Sequence, residues 1–212
     1  MIKKSLRCLK NILTPTYVAK PGQLPPSWIP YKDYIEIHPT ALIAPSATVQ
    51  FYNLPKTPRP MLKIGPMSHI FGHFAFLRDT SEIKIGERCQ IGSSHIISAM
   101  NITIGNDVLM AWGITVMDSD THSKDWTHRK NDVLASYQDY LLNPCNITAS
   151  KDWQNVPCTP VSVGDRCWIG FNAIILKGVS LGPETIVGAG SVLRKSTTGN
   201  CTVAGNPASL IE

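Results

Sequence analysis

With 212 residues, 43% of them apolar and 17% charged, the chain has room for one domain and a small appendage, and it is too apolar for wholesale disorder. Its 20 basic and 15 acidic residues are unevenly spread: Lys3, Lys4, Arg7, Lys10, Lys20 and Lys32 stand in a stretch without a single acid, and the remainder is close to neutral. A near-neutral body excludes general nucleic-acid binding, which needs clustered Lys and Arg. No apolar run is long enough for a membrane span, and Lys3, Lys4, Arg7 and Lys10 interrupt any signal-peptide core. The six cysteines form no C-x-x-C pair, so the expectation is reduced thiols in a cytoplasm and no bound metal.

In chain order, residues 2–13 read as a short basic amphipathic helix, with Ile2, Leu6, Leu9 and Leu13 on one face and Thr14-Pro15 ending it. Two roles fit it: packing on an assembly of the protein, or weak peripheral contact with an anionic inner membrane surface. Pro15, Pro21, Pro25, Pro26 and Pro30 then make a stiff connector. Residues 1–33 are thus an appendage, and 34–212 the main domain.

The main domain is organised by sixes. From Val163, every sixth residue is Val163, Ile169, Ile175, Leu181, Val187 and Leu193, and the fifth place of each unit holds Cys167, Ala173, Val179, Thr185, Ser191 and Thr197. The same frame returns at Ile37, Ile43 and Val49, at Ile64 and Ile70, at Ile85, Ile91 and Ile97, and at Ile104, Met110 and Val116. A period of six is neither a helix face nor a simple alternating strand. It predicts an all-β solenoid of short strands and tight corners, three sixes to a triangular coil, with the first and fifth residues pointing inward. Residues 52–62, with three prolines, read as a loop between coils. Residues 118–160 break the frame and carry Trp126, Tyr137, Tyr140 and Trp153; a loop of that length in a compact solenoid is expected to be functional. The tetrapeptide Ser-Lys-Asp-Trp occurs in it twice, at 123–126 and 150–153.

The run from Val161 to Gly170, together with Gly178 to Gly182, Val187 to Val192 and Ala204-Gly-Asn-Pro-Ala208, resembles the hexapeptide-repeat acetyltransferases. It is similar in particular to the galactoside, maltose and capsular-polysaccharide O-acetyltransferase branch. The resemblance implies a left-handed parallel β-helix, a homotrimer and acetyl-CoA as donor. It implies a sugar acceptor, lipid- or nucleotide-linked, in surface-polysaccharide assembly. N-acetylation of a nucleotide-linked amino sugar is the alternative, since the fold serves both reactions. A metal-dependent carbonic anhydrase on the same helix would need three converging histidines, and only His69 and His73 are close in sequence.

Acetyl transfer needs a base for the acceptor proton and a donor for the oxyanion. The resemblance assigns the base to His122, which stands where the repeat breaks into the long loop. Asp118 and Asp120 are candidates to orient the imidazole or bind sugar hydroxyls, and Ser93 is a weaker candidate to face the acceptor or donor. For coenzyme A the resemblance implies a trench bordered by Trp168, Gly170 and Phe171, with Ala189, Arg194 and Lys195 along the last coils. Arg194 and Lys195 also suit phosphate chemically. Ser209 stands where the family often has Lys or Arg, leaving the 3′-phosphate contact unassigned.

Overall fold

The computed structural model describes residues 19–211; the helix expected at 2–13 lies outside them. Three faces of short parallel strands wind around one axis. Face A holds Ile35–Ile37, Leu62–Ile64, Glu82–Ile85, Asn101–Ile104, Val161–Val163 and Ser180–Leu181. Face B runs from Leu42–Ile43 through Leu109–Met110 and Trp168–Ile169 to Cys201–Gly205, closed by the antiparallel strand Ala208–Leu210. Face C runs from Thr48–Phe51 through His73–Phe76, His95–Ser98, Thr115–Met117 and Ile174–Ile175 to Val192–Leu193. In the last coils Ser162 pairs with Ser180, Trp168 with Ile186 and Ile174 with Val192, so one coil is 18 residues, as the sixes predict.

The inward positions are those of the frame except at Ile97: in that strand Ile96 and Ser98 point inward, because the one-residue slip before Ile104 already falls ahead of this strand. Val163, Ile169, Ile175, Leu181, Val187 and Leu193 are buried, as are Cys167, Ala173, Val179, Thr185 and Ser191. Each buried aliphatic side chain stabilises by about 1.5–3 kcal/mol relative to exposure, and the stacking makes one continuous core from Ile35 to Val203. Trp28, in the 3-10 segment Pro26–Tyr34, covers one part of that core: its ring meets Phe74 edge-on at 6.1 Å and its indole N–H donates to the Ala47 carbonyl.

Corners between faces need left-handed backbone, and Arg88, Asp107, Arg166, Asn172 and Glu184 adopt it at φ of 54–60°. At Gly170 close approach is the constraint: a Cβ there would lie 2.6 Å from the Ala189 backbone nitrogen.

Long additions leave at the edge between faces C and A. One spans Tyr52 to Met61; the other separates Met117 from Val161. The second is more than a loop. It holds a four-residue helix α1 (Trp126–Arg129), capped by the Asp125 carboxylate, and an eleven-residue helix α2 (Asp132–Leu142). The sequence frame gave no sign of either, because their stability comes from contacts outside the repeat.

Candidate active site

The excursion begins and ends at a fixed root. Ser119 bridges Cys158 antiparallel, and the Thr159 N–H donates to the Asp118 carbonyl at 2.8 Å. The Asp118 side chain is fully buried; it accepts from Ser98 Oγ at 2.8 Å and from the backbone N–H groups of Ala99 and Met100 at 2.7 and 2.9 Å. This corrects the expectation that Asp118 orients the imidazole: its oxygens are consumed by donors that the broken ladder leaves open. Asp120 pairs with Lys177 Nζ at 2.7 Å, tying the root to the next coil, while its Oδ2 is buried without a hydrogen-bond partner.

Thr121, at φ 57°, turns the chain so that His122 projects from the root. The imidazole Nδ1 lies 2.5 Å from Asp132 Oδ2, on the first residue of α2. The same carboxylate oxygen accepts from Lys151 Nζ at 2.8 Å, and Lys151 Nζ stands 3.4 Å from His122 Nδ1. Lys151 is placed by α2 as well: Asp139, buried two turns further along the same face of the helix, accepts from both the N–H and the hydroxyl of Ser150. One helix thus carries two carboxylates that bring the imidazole and the ammonium together. Burial works to raise the Asp132 carboxyl, but hydrogen bonds from Lys151 and His122 outweigh it and hold the group below its ordinary value. With Asp132 ionised, Nδ1–H donates to it, and we assign the acceptor lone pair to Nε2. His122 itself is half-exposed, and it lines a cavity of about 240 Å³ walled by Tyr52, Leu77, Asp132, Lys151 and Trp153. The excursion is held against the first coils there: Asn146 donates to Asn53, and Thr148 Oγ1 bonds the Leu77 carbonyl.

The other expected residues lie elsewhere. Ser93 is on the edge between faces B and C; its carbonyl accepts from Gly113 and its hydroxyl meets His73 Nε2 at 3.1 Å. His73 stacks on His95 with ring centroids 5.0 Å apart, and burial, then the neighbouring His95 charge, lowers its pKa. On the same edge Phe171 stacks on Trp112 at 5.9 Å, both exposed, with Trp168 exposed on face B beside them. Trp112 was not anticipated; its signal is its place one coil above Phe171. Arg194 and Lys195 follow the last strand of face C and open on a cleft shared with Ser209. Within one chain, therefore, His122 and the Trp168–Phe171 side are on different edges, with face C between them.

Asp132 and Lys151 were also missed. They stand 10 and 29 residues beyond His122 in sequence, and the repeated tetrapeptide that contains Lys151 gives no sign of a catalytic role. Among the described residues no group of three or more His, Cys, Asp or Glu could hold a metal ion. No helix there is long and apolar enough to cross a membrane.

Comparison with known proteins agrees with this architecture. Residues 82–117 and 160–195 match the family described as the hexapeptide repeat of succinyl-transferase. The chain is 32% identical over 118 residues to the putative lipopolysaccharide biosynthesis O-acetyl transferase WbbJ of Escherichia coli, covering 56% of this chain and 53% of that one. It is 28% identical to the galactoside O-acetyltransferase of the same organism, over 55% of this chain and 46% of that one. The chain spans about half the length of these curated relatives. Among solved structures, AntD, an N-acyltransferase from Bacillus cereus in complex with dTDP and coenzyme A, superposes with a TM-score of 0.62 at 14% identity, over 91% of each chain. The polySia-specific acetyltransferase NeuO superposes with a TM-score of 0.54 at 23% identity, over 82% of this chain and 76% of that one. The coil is the left-handed parallel β-helix of that fold.

Proposed function

We propose that this chain, a hexapeptide-repeat protein of the left-handed β-helix fold, transfers an acetyl group from acetyl-CoA to a saccharide hydroxyl, with His122 as general base. The observation that carries the reading is the line Lys151–Asp132–His122 on the wall of a cavity. Asp132 fixes the ring and the tautomer, so Nε2 is the basic nitrogen. As the acceptor oxygen attacks the thioester carbonyl, Nε2 takes its proton. The tetrahedral species collapses, the C–S bond breaks, and the imidazolium returns the proton to the departing sulfur.

For the donor, the exposed apolar patch of Trp168, Phe171 and Trp112 suits the pantetheine arm, and Gly170 lets the Ala189 coil pack close beside it. Arg194 and Lys195, with Ser209 on the same cleft, suit the phosphates. The apolar patch and His122 occupy different edges of one prism, whereas Arg194 and Lys195 follow face C on the same side as His122. A homotrimer, in which one copy's C–A edge lies beside its neighbour's B–C edge, unites them. Transfer to an amino group uses the same base; the hydroxyl reading is supported by the names of the curated relatives. Surface-polysaccharide synthesis on the cytoplasmic side of a membrane is the setting consistent with these assignments.

The test is incubation of the protein with labelled acetyl-CoA and a panel of sugars, followed by identification of the acetylated atom. Label on a sugar oxygen, lost in His122→Ala, supports the proposal; label on nitrogen alone, or transfer unaffected by His122→Ala, overturns it.

A further inference from the structure

The His122 cavity does not end at Trp153. A second groove of about 270 Å³ shares Thr148, Lys151 and Trp153 with it and continues to Arg78 and Asn53 on the first coils. The Arg78 guanidinium carbon lies 5.5 Å from the centre of the Trp153 ring, and Lys151 Nζ lies 5.7 Å from the same centre. The two cations are not equivalent. Lys151 is committed to Asp132 at 2.8 Å. Arg78 is half-buried and lies beside the Cys158 thiol, but it forms no ion pair with a carboxylate among the described residues, although exposed Asp79 lines the rim of the groove.

An unpaired, half-buried guanidinium beside an indole is an uncommon arrangement, because a buried charge ordinarily finds an opposite one. Its planar fork of donors matches two oxygens of one anionic group. The indole, with the guanidinium and the ammonium over its ring, gives the groove an apolar wall against which the edge of a sugar can rest. We infer that Arg78 and Trp153 form a second acceptor subsite, which takes a saccharide unit bearing an anionic group, carboxylate or phosphate, next to the unit acetylated at His122. The inference rests on the proposed sugar acceptor and narrows it to acidic or phosphate-linked saccharides.

Three acceptor arms test it: maltotriose as the neutral probe, oligosialic acid as the carboxylate probe, and UDP-N-acetylglucosamine as the phosphate probe. Each is assayed for acetyl transfer, and separately for binding by calorimetry without acetyl-CoA, using the full chain and its Arg78→Gln and Arg78→Lys variants. The expected result is that one anionic probe binds and reacts at least about tenfold better than maltotriose. Arg78→Gln collapses that ratio toward one through KM and through the calorimetric affinity, and Arg78→Lys recovers part of it. Whichever anionic arm responds identifies the source of the charge. Anion binding lost in Arg78→Gln, with no transfer to any sugar, upholds the subsite and removes the acetyl-transfer reading. Transfer to maltotriose as good as to either anion, with a ratio indifferent to Arg78, overturns the subsite and leaves acetyl transfer standing. Unchanged circular dichroism and melting of each variant show that the ratio reports the groove and not the fold.

Discussion

The coils and the excursion between Met117 and Val161 are stabilised by opposite means. A coil repeats the same aliphatic positions, so every layer lends burial to the next and no single residue defines the shape. The excursion depends on a few polar contacts made once: Asp139 with Ser150, Asp132 with Lys151 and His122, Asn146 with Asn53. Its helix α2 leaves Val133, Leu134, Tyr137 and Leu142 exposed, so apolar burial holds it less firmly. Redundant packing gives a rigid scaffold, and non-redundant polar contacts give a chemically specific surface. Changes in the two regions should therefore fail differently.

The largest effect is expected in the excursion. His122→Ala should lower kcat by about 10²–10⁴-fold, with melting and acetyl-CoA affinity close to those of the parent; retained turnover on the true acceptor would place the base elsewhere. In the coils, Ile169→Ala should cost about 2–5 kcal/mol of stability by denaturant unfolding, while the folded fraction keeps its kcat. A large loss of kcat without loss of stability would erase the contrast. Next in size, Asp132→Asn should reduce kcat by at least about tenfold, because an amide no longer selects the tautomer with a free Nε2; a change confined to KM would argue against that role. Smaller still, replacing Arg194 and Lys195 together by Ala should raise KM for acetyl-CoA several-fold and spare kcat, as initial rates at varied donor would reveal.

The smallest effect is electrostatic. Asp132 is held below the ordinary carboxylate range, so it stabilises the fold above the unfolded value of about 3.9. That contribution fades as pH falls through the lowered value. Unfolding of the parent and Asp132→Asn, followed from neutral pH downward, should show a gap that closes on acidification; a gap that widens would reverse the sign.

The sixes are legible in the sequence because each inward place is filled by the same residue type whatever surrounds it. Ile169 and Cys167 can be placed without knowing any partner. His122 is legible by its position at the break and by the resemblance. Asp118 was not: its place near His122 suggests a partner for the imidazole or a sugar, whereas the carboxylate closes the backbone donors of Ala99 and Met100. Asp132 and Lys151 were invisible for a different reason: only the fold of α2 gives them a common partner. The second Ser-Lys-Asp-Trp, at 150–153, supplies Lys151 and Trp153 to the cavity, while Trp126 of the first is exposed. The words are the same and the tertiary surroundings differ.

The excursion's attachment to Asn53 and Leu77 has a consequence for motion. In a linear stack the terminal layers open more readily than the middle ones, since each has a neighbour on one side only. Here one part of the wall of the His122 cavity, Tyr52, directly follows the outermost strand of face C, and Leu77 follows the strand next to it. Fraying of the first coils would dismantle the cavity while the core around Ile169 stays closed. An occupant bridging His122 and Leu77 would clamp that end, so amide hydrogen exchange at Thr48–Phe51 and Leu62–Ile64 should slow when acceptor binds.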